Sequence, residues 1–268
     1  MAIVISIVNN KGGVGKTTTV ANLGYAWARS GKKVLLVDLD SQANLTTMVS
    51  SVPIEEHQIL IEKALEDDLY PPIDAVEPNL DVVPSGLSLA NFERKTAGPT
   101  QAFLVQRMLE KVKNSYDYIL LDCPPALSLI TYNALIASDF FILIGSPDSM
   151  SYSGMKMIIT LAGDVKNDPR MNPNLKFLGC ILTMANPRQK VDNLFIRRVK
   201  QDMGERYFVN VIINREAAVQ QAAACGQSIF DYKDDNGRSV KAAPAYQEIA
   251  EILNNRIHDR MEEEAANK

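Results

Sequence analysis

Residues 3–8, Ile-Val-Ile-Ser-Ile-Val, run through Asn9 into Asn10-Lys11-Gly12-Gly13-Val14-Gly15-Lys16-Thr17-Thr18. A short apolar run, a glycine-rich turn and a helical pattern over residues 18–29 form the context a phosphate-binding loop requires. Glycines let backbone N–H groups converge on a phosphate without a Cβ in the way. The helix starts at the same point, so the positive end of its dipole faces the anion. Lys16 can reach β- and γ-phosphates, and the Thr17 hydroxyl can ligate Mg²⁺. The usual pattern opens with Gly; here that position is Asn10, and a second lysine, Lys11, stands beside it.

Four more short apolar runs lie at residues 34–37, 118–121, 140–144 and 177–182. Runs apolar throughout belong to strands covered on both faces, as in a parallel sheet. Helical patterns separate them, at residues 102–113, 153–162 and 191–203, with a last one at 245–260 carrying Ile249, Ile252, Leu253 and Ile257 on one face. The alternation predicts an α/β fold: a doubly wound, mostly parallel sheet flanked by helices. Residues 49–100, punctuated by Pro71-Pro72 and Gly98-Pro99, read as loops and short helices over the sheet, and 231–240 as a surface loop. One domain over 1–260 is expected, with an acidic, frayed tail at 261–268. The first strand opens at residue 3, so no separate N-terminal DNA-binding domain is expected.

Composition narrows the class. In 268 residues, 28 Lys plus Arg face 32 Asp plus Glu, and 46% of the chain is hydrophobic. That balance argues against a largely disordered or collagen-like chain. No apolar run is long enough for a membrane span, and no basic stretch precedes the first strand as a signal peptide requires. Cys123, Cys180 and Cys225 are widely spaced, which points to buried thiols in a reducing cytoplasm rather than a disulfide framework or zinc site. With only His57 and His258, the sequence argues against a histidine metal cluster or a Ser-His-Asp triad.

Acidic residues close the apolar runs. Asp38 and Asp40 follow the second run two residues apart, so on a strand they point the same way. Asp122 ends the 118–121 run, where a carboxylate can meet a Mg²⁺ shell.

Lys11–Thr18, KGGVGKTT, resembles the deviant Walker A motif of the ParA/MinD ATPases. Residues 37–44, VDLDSQAN, are similar to that family's DxDPQxN motif, with Ser41 in place of proline. Residues 120–125, LLDCPP, look like its Walker B strand end. Ile213-Asn214-Arg215 and the following QQAAACGQSIFDY resemble the segment that closes over adenine. The match is nearest to short, Soj-like ParA partition proteins.

The resemblance implies ATP and Mg²⁺. The cradle would be Lys11, Gly12, Gly13, Val14, Gly15, Lys16, Thr17 and Thr18. Thr17, Asp38 and Asp122 would serve the metal and its waters, and Asp40 would orient or activate the attacking water. Asn44 would sit near the γ-phosphate, with adenine near Asn186-Pro187 and Asn214. Lys16 and, from the second subunit of an ATP sandwich dimer, Lys11 would supply positive charge at the transition state. No Asn-Lys-x-Asp guanine-reading motif occurs. With an ordinary aspartate as the only general base, slow intrinsic turnover is expected.

Seven cations lie within residues 188–215 (Arg188, Lys190, Arg197, Arg198, Lys200, Arg206 and Arg215) against three acids. Each could neutralise a backbone phosphate and release counterions. With the family resemblance, Arg188, Lys190, Arg197, Lys200 and Arg215 are candidates for non-specific double-stranded DNA. The implied function is a partition switch. The ATP homodimer holds DNA, a ParB-like activator stimulates hydrolysis, and the protein lets go. It would be cytoplasmic, and nucleoid-associated when ATP-bound. Alternatives are a positioning ATPase for a non-DNA cargo and a MinD-like membrane-cycling ATPase. The acidic MEEEAANK end argues against the latter, because its glutamates repel anionic lipid. No cysteine pair suits a cluster-carrying relative.

Overall fold

The computed structural model describes residues 1–95, 99–186 and 188–266. Its strands are β1 (Ile3–Val8), β2 (Val34–Asp38), β3 (Asp74–Glu77), β4 (Leu80–Val83), β5 (Tyr118–Asp122), β6 (Phe140–Gly145), β7 (Lys176–Thr183) and β8 (Phe208–Ile213). Between them run α1 (Lys16–Arg29), α2 (Asn44–Val49), α3 (Ile61–Glu66), α4 (Ser88–Lys95), α5 (Leu104–Glu110), α6 (Leu129–Ala137), α7 (Ser149–Asn167), α8 (Lys190–Met203), α9 (Ala217–Ala224) and α10 (Ala242–Ala266).

The sheet order is β3-β4-β2-β5-β1-β6-β7-β8. Every pairing is parallel except that of β3 with β4. The C-terminal ends of β1, β2, β5, β6, β7 and β8 therefore share one edge, where open α/β sheets bind ligands. Side chains alternate between two cores. Val4 and Val8 of β1 face a layer built from α3 to α8, and Ile5 and Ile7 face α1, α2, α9 and α10. Burial on both faces explains why β1, β2, β5, β6 and β7 read as unbroken apolar runs.

Residues 49–100 depart from expectation. They contain two strands, one of them, β4, hydrogen-bonded in parallel to β2 with Leu80, Val82 and Val83 buried. Asp81 interrupts the apolar run, and its carboxylate accepts from the Tyr116 hydroxyl at 2.8 Å. Asn79, at φ 68°, turns the chain from β3 into β4; asparagine tolerates that left-handed conformation better than most residues. β8 was hidden in the same way by exposed Asn210. The Gly98 part of the expected Gly98-Pro99 turn lies outside the described residues. The last helix also overruns its expected end. α10 continues to Ala266, because Met261, Glu262 and Glu263 are good helix formers. Cys123 and Cys180 are buried thiols, but Cys225, expected with them, is exposed at the end of α9. Among the described residues no helix is long and apolar enough to cross a membrane.

Trp27 of α1 stacks on Tyr118 with centroids 4.5 Å apart and donates to the Ala250 carbonyl of α10. That contact fixes the helix behind the phosphate loop to both the sheet and α10.

His57 ties the segment after α2 to the edge strand. Its Nε2 lies 2.7 Å from Asp74 Oδ2 and its Nδ1 3.0 Å from the Pro53 carbonyl. Two acceptors ask for both ring nitrogens to carry protons. Burial opposes the charged ring, but the Asp74 bond and charge and the Pro53 carbonyl outweigh it and raise the pKa above its ordinary value. A raised folded-state pKa means stability that is present below about pH 6.5 and lost as pH rises through the folded value. We therefore expect the pH 6 to 8 decline in melting temperature to shrink in His57→Gln. An unchanged decline would contradict this.

Candidate nucleotide site

The loop leaving β1 closes over its own helix start. Gly13 and Gly15 adopt φ 71° and 86°, a region open to glycine and costly to other residues. The loop is pinned from the neighbouring strand end, where the Thr183 hydroxyl donates to the Val14 carbonyl at 2.6 Å. Lys16 folds back to donate to the Lys11 carbonyl at 3.0 Å. Burial lowers its pKa, against the pull of the nearby Asp122, Cys123 and Asp40.

Asn9 anchors the loop to α7. Its buried side chain donates to the Ile144 carbonyl at 2.6 Å and to Ser151, and its Oδ1 accepts from the Lys11 N–H at 3.0 Å. Asp148 caps α7 by accepting from the Ser151 N–H at 2.8 Å. Its Oδ1 also meets the Lys11 ammonium at 2.8 Å, so in this protomer Lys11 lies against its own chain.

The carboxylates sit across the loop. Asp38 and Asp122 are register partners on β2 and β5, and both are buried. Asp38 accepts from the Asp40 N–H at 3.1 Å, the Thr46 N–H at 2.9 Å and the Thr46 hydroxyl at 2.8 Å. Burial raises its pKa and these three donors hold it down. Asp122 has less support: neither carboxylate oxygen makes a full hydrogen bond among the described residues, and the Thr17 hydroxyl lies close enough only to favour its charge. Burial and then the Asp38 charge push its pKa well up, while Thr17 and Lys16 act the other way. A buried, undonated carboxylate is costly. A hydrated divalent cation is a group that would satisfy it, so the residues present fit Mg²⁺. Asp40, half-buried, accepts from the Gln42 N–H at 3.0 Å, and Asn44 opens α2, exposed.

A cavity of about 750 Å³ adjoins the β6, β7 and β8 ends. Its walls include Asn186 and Asn214, which the family resemblance puts near adenine, and also Arg188 and Arg215, grouped above with the DNA candidates. Pro187 lies outside the described residues. The basic segment is thus not one surface. Lys190, Arg197 and Lys200 lie along α8, where Arg198 pairs with Asp202 at 4.0 Å and Lys200 with Glu205 at 3.7 Å. Sequence reasoning missed Asn9, Thr46, Asp148 and Thr183. Each acts through a partner chosen by the tertiary fold, except Asp148, whose Asp-x-x-Ser spacing before α7 was a readable N-cap signal.

Comparison with known proteins agrees with this geometry. The AAA_31 family model, an AAA domain, matches residues 2–177. The sporulation initiation inhibitor protein Soj of Bacillus subtilis is 35% identical over 87% of this chain and 92% of its own. The chain belongs to the ParA/MinD family of P-loop ATPases, on its Soj-like side. The chromosome partitioning protein ParA of Caulobacter vibrioides is 29% identical over 96% of both chains. The solved structure of a cobyrinic acid a,c-diamide synthase from Mycobacterium smegmatis, with ADP and magnesium bound, has a TM-score of 0.78 at 27% identity, covering 94% of this ParA-like chain and 93% of its own. The family model's match over residues 2–177 takes in both the glycine loop and the Asp38 and Asp122 strand ends.

Proposed function

We propose that this ParA-like chain hydrolyses ATP with Mg²⁺ between paired protomers and uses the cycle to hold and release DNA. The observation that carries the nucleotide half is the buried Asp122 carboxylate, undonated beside Lys16 and Asp38 at the mouth of a glycine loop. Thr17, Asp38 and Asp122 would hold the metal and its waters, and the metal would neutralise phosphate charge. Backbone N–H groups of Gly12–Thr18 cradle the phosphates, and Lys16 offsets charge on the transferred group. Asp40 orients a water whose oxygen bonds the γ-phosphorus as the bond to the β–γ bridging oxygen breaks, giving ADP and inorganic phosphate. Asn186 and Asn214 border the base, with Asn44 toward the γ-phosphate.

Lys11 acts on the nucleotide of the second protomer. To do so it must leave Asp148, and a half-exposed ion pair of this kind is worth only about 0–1 kcal/mol, so the exchange is open. Lys190, Arg197 and Lys200 supply phosphate contacts along α8. A ParB-like activator would set the timing of release. The chain would be cytoplasmic, nucleoid-associated with ATP bound, and serve plasmid or chromosome partition.

The test is co-sedimentation with duplex DNA in ATP, ADP or no nucleotide at two salt concentrations, with Lys16→Ala alongside. Retention only with ATP, weakened by salt and absent in Lys16→Ala, is expected. Tight ATP binding without DNA retention would contradict the DNA half and favour a protein cargo.

A further inference from the structure

The sheet edge opposite the nucleotide carries a second set of cations that the basic segment of the sequence only brushes. Strand β7 runs from Lys176 at that edge to Thr183 beside the phosphate loop. At roughly 3.3 Å per residue the two ends lie on the order of 20–25 Å apart. At the far end Tyr207 packs on Phe177, with ring centroids 5.0 Å apart. The Arg206 guanidinium sits 5.0 Å and that of Arg260 5.4 Å from the Tyr207 ring centroid. Lys166, near the end of α7, adds a third charge. Together Arg260, Arg206 and Lys166 hold the phenol below its ordinary pKa, despite partial burial.

The base beneath this cluster is rigid. Arg256 of α10 donates to the carbonyls of Leu178 and Tyr207 at 3.1 Å and of Phe208 at 2.9 Å, tying α10 to the first turns of β7 and β8. Among the described residues neither Lys166, Arg206 nor Arg260 is in an ion pair, whereas Arg198 and Lys200 of α8 are. Gathering like charges around one ring is unfavourable in isolation and is relieved by a polyanion.

We infer that Lys166, Arg206 and Arg260, grouped around Tyr207 at the edge opposite the nucleotide, form a contact surface for the phosphate backbone of double-stranded DNA. This rests on the DNA reading above and extends it to residues on α7, the β8 entry and α10. Distance from the phosphate loop separates DNA contact from catalysis within one protomer. A dimer joined at the nucleotide edge carries two such patches facing outward, and avidity then makes retention depend on ATP.

The experiment compares duplex DNA binding, with ATP, of the wild-type chain, Arg206→Ala/Arg260→Ala, the lysine pair Arg206→Lys/Arg260→Lys, and Arg197→Ala/Lys200→Ala over a salt series. Losing two phosphate contacts should flatten the log-affinity against log-salt slope by about 2 and lower affinity on the order of tenfold or more. The lysine pair should restore the slope. ATP turnover without DNA should match wild type, which shows the variant is folded. Wild-type retention with an unchanged slope in the double alanine variant would overturn this inference alone. A wild-type chain that is not retained would overturn the DNA reading and this surface with it.

Discussion

Lys16→Ala should lower ATP turnover on the order of 10²–10³-fold, the cost of removing one preorganised positive group from a charge-developing transition state. Lys16 is buried, bonded to its own loop through the Lys11 carbonyl, with Asp122 near enough to favour its charge. That environment keeps the ammonium desolvated within the glycine loop, where a bound phosphate would replace the Lys11 carbonyl as its partner. Alanine removes both the charge and the contact that shapes the loop. The same variant should lose nucleotide-dependent stabilisation. A ligand at about 100 times its Kd adds ~2.7 kcal/mol to folding stability, and most of that gain in melting temperature should vanish in Lys16→Ala. Steady-state turnover with thermal melting, with and without MgATP, checks both. Retained turnover would contradict the role assigned to Lys16.

Gly154→Ala should destabilise the protein although it sits inside a helix. Glycine to alanine in a helix ordinarily gains up to ~1 kcal/mol. Here a Cβ on residue 154 would stand 2.2 Å from Asn9 Oδ1 and 3.4 Å from the Asn10 N–H nitrogen. Asn9 cannot move freely, because its amide donates to the Ile144 carbonyl and its Oδ1 holds the Lys11 N–H. Overpacking costs about 1–3 kcal/mol, and each displaced hydrogen bond adds about 1 kcal/mol. At roughly 2–4 °C per kcal/mol for a chain of this size, melting should fall by several degrees, and KM for ATP should rise as the loop shifts. In an Asn9→Ala background the obstacle is gone, so the same substitution should become neutral or stabilising. A stabilised Gly154→Ala single variant would show that Asn9 does not anchor the loop.

Much of this architecture is legible in the chain because the sheet is buried on both sides. β1, β2, β5, β6 and β7 announce themselves as unbroken apolar runs, and the charges that follow them, Asp38 and Asp122, fall together because the strands are parallel and in register. Where a strand carries one polar residue, as β4 does at Asp81 and β8 at Asn210, the periodicity fails and the strand is lost. The supports of the site are harder to read. Thr46 is an ordinary helix residue in sequence, yet its hydroxyl donates to Asp38 and accepts from the Ser85 N–H. Thr183 closes β7 and reaches a loop formed by the first residues of the chain. Such roles depend on long-range proximity, which local pattern does not encode. The basic segment misled for the converse reason. Neighbours in sequence, Arg188 and Arg197, lie on a cavity wall and on an outward helix face, while Arg206 joins Arg260 from the far end of the chain.

Sedimentation velocity of Asp40→Ala at micromolar protein, with MgATP, MgADP or no nucleotide, reads whether nucleotide pairs the protomers. The paired-protomer ATPase predicts a dimer with ATP and a monomer in the other two conditions, with Lys11→Ala turning over ATP far more slowly than the wild-type chain. A protein that binds ATP and stays monomeric, or that is dimeric whatever the nucleotide, would contradict it.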